Sequence, residues 1–153
     1  MTTQTAAGTK LSISAAAPTT FDGAGYAALT WTEIGEITDL GEFGREYNLV
    51  THNPVGSRGT QKKKGSFNEG AMALQLGLDK SDAGQVLLDA AVLSDDDYSF
   101  KVQLQNGDIY YLQAQAMSFK KGVGSVDNIV SATVNLEITT NSAGVGIVEV
   151  LAA

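Results

Sequence analysis

The chain is 153 residues long, 43% apolar, free of cysteine, and carries a net charge of −7 with a pI near 4.5. This is the size of one ordinary domain with enough apolar material for a single core, and the missing thiols exclude disulfides, thiolate metal sites and cysteine nucleophiles. So acidic a chain is unsuited to gripping nucleic acid, which requires Lys and Arg to neutralise phosphates, although it could enclose nucleic acid without holding it.

In chain order, residues 1–9 are small and polar, which predicts a mobile N-terminal arm with no basic-then-apolar leader pattern. Leu11 and Ile13 alternate with Lys10, Ser12 and Ser14, the period of a short strand. Leu29 to Ile37 reads as extended, with an apolar parity shift between Trp31 and Ile34 that predicts a bulge. His52 to Gly65 is polar, glycine-containing and basic, and residues 52–66 are read as one long loop. Loops of that length are uncommon in compact domains unless they have a function. Met72, Leu74, Leu76 and Leu78 alternate with small or polar neighbours and predict a second strand.

The one helix is expected over residues 82–93, with Ser81 or Asp79 as its cap and Val86, Leu87, Ala90 and Leu93 as its apolar stripe. A hairpin follows. Tyr98, Phe100, Val102 and Leu104 form one apolar face, and the return strand places Tyr110, Leu112 and Ala114 on the matching face. Register follows the buried face, so Val102 should meet Tyr110 and Phe100 should meet Leu112. That register requires a three-residue loop with Gly107 as the left-handed bulge residue. The cleanest strand is residues 130–139, with Val130, Ala132, Val134, Leu136 and Ile138 dry and Thr133, Asn135 and Glu137 wet. Residues 141–153 read as a C-terminal arm. The fold class is therefore mainly β, an antiparallel sandwich or barrel in one domain, 1–153, with one flanking helix.

Residues suited to chemistry are scarce. The single histidine, His52, stands beside no nucleophile motif. Asp95, Asp96 and Asp97 lack the alternate spacing and closing glutamate of a calcium loop. Gly122-Val123-Gly124 and Gly144-Val145-Gly146 read as turns rather than dinucleotide loops. No metal or cofactor is expected, and no stretch approaches the ~20 apolar residues of a membrane helix. Arg58, Lys62, Lys63 and Lys64 are the only basic concentration, without interleaved aromatics for stacking on bases. Either they are a solvated loop or they meet an acidic patch on another copy, Asp95 to Asp97 being the candidate.

The segments Gly8-Thr9-Lys10-Leu11-Ser12-Ile13-Ser14, Pro18 to Asp22, Gly25 to Leu29, Ile34-Gly35-Glu36-Ile37, Gly41-Glu42-Phe43-Gly44, Lys64-Gly65-Ser66 and Leu78 to Gln85 together resemble siphophage tail tube proteins. The resemblance implies a tail-tube β-sandwich with a flanking helix, hexameric rings stacked into a hollow tube, and long loops and arms that join the rings. It also implies a structural rather than enzymatic role. The implied partners are further copies of the chain, a tape-measure protein, and the tail-tip and tail terminator proteins. Genomic DNA would pass through the lumen without specific binding. The implied location is the virion tail, after assembly in the host cytoplasm. Pairing sheet edges between subunits until a ring closes would remove exposed edges, and Thr133, Asn135 and Glu137 are the candidate lumen-facing residues. The rivals are a tube subunit of a contractile tail or secretion-type machine, which shares the ring logic, and a monomeric β-sandwich binding module.

Overall fold

A computed structural model describes residues 3–152. Ten strands and two helices follow in the order β1 (Lys10–Ser14), α1 (Gly23–Ala27), β2 (Thr32–Ile34), β3 (Ile37–Asp39), β4 (Glu46–His52), β5 (Gln61–Asn68), β6 (Ala71–Gly77), α2 (Ala83–Val92), β7 (Tyr98–Gln103), β8 (Ile109–Gly122), β9 (Ser131–Thr139) and β10 (Val148–Val150). Eight of the strands form one antiparallel sheet in the order β2-β1-β7-β8-β9-β6-β3, with β10 added alongside β8, while β4 and β5 pair only with each other. The two ends of that order, β2 and β3, are neighbours in the chain with only Gly35 and Glu36 between them. The sheet therefore rolls up until one short segment joins its two margins. Leu11, Ile13, Met72, Leu74, Phe100, Leu112, Val134 and Leu136, from five different strands, share a single core inside the roll.

The parity shift near Trp31 is not a bulge: Ile34 enters the core while Trp31 lies against Tyr111 on the outer face, and the register irregularity comes later, between Ile37 and Asp39. Residues 32–34 pair with β1, whereas Ile37 and Asp39 pair with β6. The corner between them holds Glu36 at φ 61, a left-handed conformation that a residue with a Cβ rarely adopts. Helix α2 fixes the corner. The Asp82 side chain caps the helix through Gln85 N at 3.0 Å and also accepts from Gly35 N at 3.0 Å. Gln85, a fully buried polar side chain, donates from Nε2 to Gly35 O (3.0 Å) and Gly77 O (2.8 Å) and accepts from Asp79 N (2.9 Å). Gly84 permits this approach, because a Cβ there would run into the backbone of Glu33 and Ile34.

That contact sets the phase of the helix. The buried positions are Gly84, Gln85, Leu88 and Ala91, whereas the expected stripe residues Val86 and Leu93 are 51% and 88% exposed. The cap is Asp82, and Asp79 instead holds Ser81 through its backbone N and hydroxyl. Hydrophobic spacing alone misplaces the stripe because the innermost side chain is a glutamine.

The β7–β8 hairpin has the expected register, Val102 opposite Tyr110 and Phe100 opposite Leu112. Leu104 N donates to Asp108 O at 2.8 Å, and Gly107 takes φ 98 in the three-residue loop. In β9, Ala132, Val134, Leu136 and Ile138 point into the core as the alternation requires, whereas Val130, expected on the same dry face, precedes the strand and is exposed. Strand β1 is different, since Ser12 and Ser14 are buried as well as Leu11 and Ile13. The second face of β1, β7 and proximal β8 is covered by residues 15–31, including the short helix α1, which the sequence reading did not anticipate. There Tyr26 stacks on Tyr111 (centroids 5.1 Å apart), Trp31 lies 5.8 Å from the same ring, and Ser99 donates to Ala16 O at 2.7 Å.

The terminal segments are anchored to the body. Gln4 accepts from Asn106 N at 3.1 Å; residues 1, 2 and 153 lie outside the described residues. The C-terminal arm returns as β10 against Ile109–Tyr111, and Ala152 N donates to Asp108 at 2.8 Å.

Two outcomes follow. Replacing Gln85 with Ala strips three buried backbone groups of their partner, at ~1–3 kcal/mol for each, so Q85A should lower unfolding free energy by about 3 kcal/mol in urea titration. The Tyr26 hydroxyl is buried with no hydrogen-bond partner among the described residues, so Y26F should leave stability at neutral pH unchanged or raised. Burial pushes the Tyr26 phenol up to about 12, above the ~10 of an unfolded tyrosine. The stability tied to its neutral form is complete below pH ~10 and drains away as pH rises towards 12. Alkaline melts should show that loss in the wild type and a smaller loss in Y26F.

Candidate functional site

No group of three or more metal-ligating side chains gathers among the described residues. An open groove of about 500 Å³ runs along Glu33–Gly41, where the side chains of Lys10, Glu33 and Asp39 are exposed to solvent. No helix of the described chain is long and apolar enough to cross a membrane. The features that stand out are surfaces.

The first is the β4–β5 hairpin. Residues 61–66, expected to belong to a long loop, are strand: Gln61 pairs with His52, Lys62 with Thr51, Lys63 with Val50 and Lys64 with Leu49. Only residues 53–60 remain as the tip, where Arg58 sits exposed. Three consecutive lysines carry no apolar alternation, so periodicity could not identify the strand. The hairpin packs closely on no other element of the described chain, and every residue of β4 is exposed, including Leu49 (66%) and Val50 (50%). A two-stranded hairpin alone in water is marginal. This one contains four cationic side chains and a single carboxylate, Glu46, in a chain whose net charge is −7.

Its root is held tightly. Glu69, 2% exposed, accepts from Ile147 N at 2.8 Å and pairs with Arg45 at 2.6 Å. The Arg45 guanidinium lies 3.8 Å above the Phe67 ring and reaches the Tyr47 hydroxyl at 3.3 Å. The hydrogen bond to Glu69 raises the Arg45 pKa further, keeping it charged throughout the accessible range. One buried carboxylate thereby ties the arm to the C-terminal segment. Gly146 packs so closely on the Glu69 side chain that a Cβ could not be accommodated.

The second surface is a wet wall formed by β6, β9 and distal β8. Its cross-strand rows are Ala71–Glu137–Gln115, Ala73–Asn135–Ser118 and Gln75–Thr133–Lys120. Thr133, Asn135 and Glu137 therefore share one outward face among small, polar side chains. The rows carry one carboxylate, Glu137, and one ammonium, Lys120, so the wall is close to neutral although the chain is acidic. Met117 is extruded at a register shift and is exposed. Beyond Ala114, β8 is paired on one side only, leaving a free edge. Among the described residues this edge, the outer side of β10 and the hairpin have no further strand partner.

Asp95, Asp96 and Asp97 form the turn after α2, beside the point where β7 leaves β8. Gln115 Nε2 donates to Asp95 O at 3.2 Å, and Asp96 N donates to Ser94 at 3.1 Å. These acids hold no salt bridge to Arg58, Lys62, Lys63 or Lys64 within the described chain. His52 ends β4, exposed.

No family model and no curated protein matches this sequence. Solved structures do match in shape. A chain from an extracellular contractile injection system, the PVC sheath/tube terminator in its extended state, superposes with TM-score 0.70 at 9% identity over 99% of both chains. A chain of the anti-feeding prophage baseplate gives TM-score 0.62 at 11% identity, covering 91% of this chain and 94% of that one. A chain of the phage p2 baseplate gives 0.51 at 14% identity over 86% of this chain and 44% of its own length. The fold is thus the mainly β, antiparallel tail-tube type found in phage-tail-like particles.

The root of the arm yields a prediction. In E69A, charge-assisted hydrogen bonds worth ~1.5–3 kcal/mol each are lost. Amide exchange at Arg45–Tyr47 and Ile147–Val150 should accelerate about 10- to 100-fold, while Val134 and Leu136 in the core keep wild-type protection.

Proposed function

We propose that this chain is a structural subunit of the tube in a phage-tail-like injection machine of the contractile kind, assembling as rings that stack into a hollow conduit. The observation that carries this reading is the β4–β5 hairpin, a well-rooted arm with exposed apolar and basic side chains that its own chain leaves uncovered. A neighbour must cover it. The full-length likeness to a chain of a contractile injection system supports the contractile setting over a non-contractile one.

In this reading Arg58, Lys62, Lys63 and Lys64 meet the acidic bodies of adjacent copies, Asp95 to Asp97 being the densest acidic turn. Charge complementarity of this type chiefly sets orientation and encounter rate. The wall bearing Thr133, Asn135 and Glu137 lines the lumen. Short, nearly neutral polar side chains give passing DNA or tape-measure protein little to bind, so cargo slides without a charge trap. Tail-tip and terminator proteins would close the two ends of the stack, and the subunit would reside in the tail of the particle. The siphophage tube remains the second reading, favoured by sequence character from Gly8 to Asp22 and Leu78 to Gln85. A sheath gene beside this one would decide for the contractile reading, and its absence for the siphophage tube.

Purified protein at high concentration, or nucleated by its tail-tip complex, should form rings or tubes in negative stain. A persistent monomer under both conditions would overturn the proposal in favour of a binding module. The triple variant K62E/K63E/K64E should keep its far-ultraviolet circular dichroism and lie within about 1 kcal/mol of wild-type stability, since exposed charges matter little to the monomer. Its tube yield should fall at least tenfold by sedimentation.

A further inference from the structure

Besides the hairpin, the loop of residues 123–130 between β8 and β9 gathers four exposed aliphatic side chains within eight residues. Val126 and Ile129 are 98% and 84% exposed, with Val123 and Val130 beside them. The loop is not a loose tether. Gly122 pairs with Ser131 at its base, Asn128 N donates to Ser125 O at 3.0 Å, and Leu78 N donates to Val130 O at 2.9 Å. A shaped loop that presents valines and an isoleucine to water requires an explanation, because the hydrophobic effect favours their burial.

Strand register locates the loop relative to the arm. β5 runs into β6 through Glu69 and Gly70, and the β6–β9 ladder begins at Ala71 opposite Glu137. It ends at Gly77 opposite Ser131, where the loop begins. The hairpin therefore leaves one end of the wall and the loop crowns the other. Seven residue pairs of the β6–β9 ladder separate them, about 20 Å at ~3.3 Å per residue, and the hairpin packs closely on no other element of the described chain, so it does not cover the loop.

We propose that residues 123–130 are the docking site for the β4–β5 hairpin of a second copy of this chain, stacked head to tail along the wall. This rests on the tube reading and gives the arm's aliphatic side chains their own partner surface, apart from the acids that face its cations. Three observations favour a second copy as occupant. The arm presents aliphatic groups of matching type at Leu49, Val50 and the fully exposed tip residue Val55. The loop contains one carboxylate, Asp127, and no cation, while the arm has the opposite balance. The two surfaces lie at opposite ends of one molecule, so each contact leaves a free arm and a free loop. Such a heterologous contact does not close upon itself and propagates as a stack.

The absence of cysteine makes the test clean. V55C and I129C, both at exposed positions, are purified separately, mixed under assembling conditions and exposed to a mild oxidant. The expected result is a disulfide-linked dimer in the mixture at a level at least tenfold above either variant alone. Cross-linking no greater than in the separate variants, with tubes visible by electron microscopy, would overturn the loop assignment and leave the tube reading intact. Failure of the wild type to assemble at all would overturn both. A second variant, V126D/I129D, should remain folded by circular dichroism yet fail to extend tubes, and normal tubes from it would also refute the assignment.

Discussion

The corner at Gly35 and Glu36 is where the architecture is decided, because an eight-stranded sheet keeps two raw margins unless something joins them. Here one segment, residues 32–39, pairs with β1 through its first half and with β6 through its second. The turn between the halves is strained, with Glu36 left-handed, and the backbone N–H and C=O of half-buried Gly35 take side-chain partners. The N-terminus of α2 supplies them through Asp82 and Gln85. The same glutamine side chain holds the carbonyl of Gly77 at the end of β6. A polar side chain in the dry interior is costly unless fully hydrogen-bonded, and Gln85 is bonded at both ends. Helix phase, barrel closure and the position of the wall all follow from that contact.

Closure divides the surface into parts with different tasks. The inside of the roll is the core, and the outside of β1, β7 and proximal β8 is covered by residues 15–31 and their aromatic stack. Stability is concentrated there. What stays open is the wall of β6, β9 and distal β8, the loop above it and the hairpin below it. These surfaces carry the exposed aliphatic and cationic groups of the hairpin and the loop. Glu69 joins the two parts by fixing the arm and the C-terminal segment to one buried carboxylate.

Legibility of the sequence followed the physics of each element. The β7–β8 hairpin could be read to the residue, because only one register buries both apolar faces, and it requires a three-residue loop with Gly107 left-handed. Strand β9 was equally plain. Helix α2 was found but rotated, since its inward residue is Gln85 and its closest approach is Gly84, neither of which has an apolar signature. Strand β5 was hidden by Lys62, Lys63 and Lys64, which bury nothing and so leave no alternation. The apolar loop at residues 123–130 escaped notice because valines near glycines resemble core or turn until their exposure is known.

By itself, the sequence determined the strand-rich class, the helix position, the β7–β8 register and the identity of the basic segment, because local periodicity and turn chemistry are written residue by residue. Only the tertiary structure decided that residues 32–39 close the sheet, that the basic segment is an arm rather than a loop, and that arm and apolar loop stand at opposite ends of one wall. Those features depend on which distant segments pair and which side chains remain in water, and no local pattern encodes either.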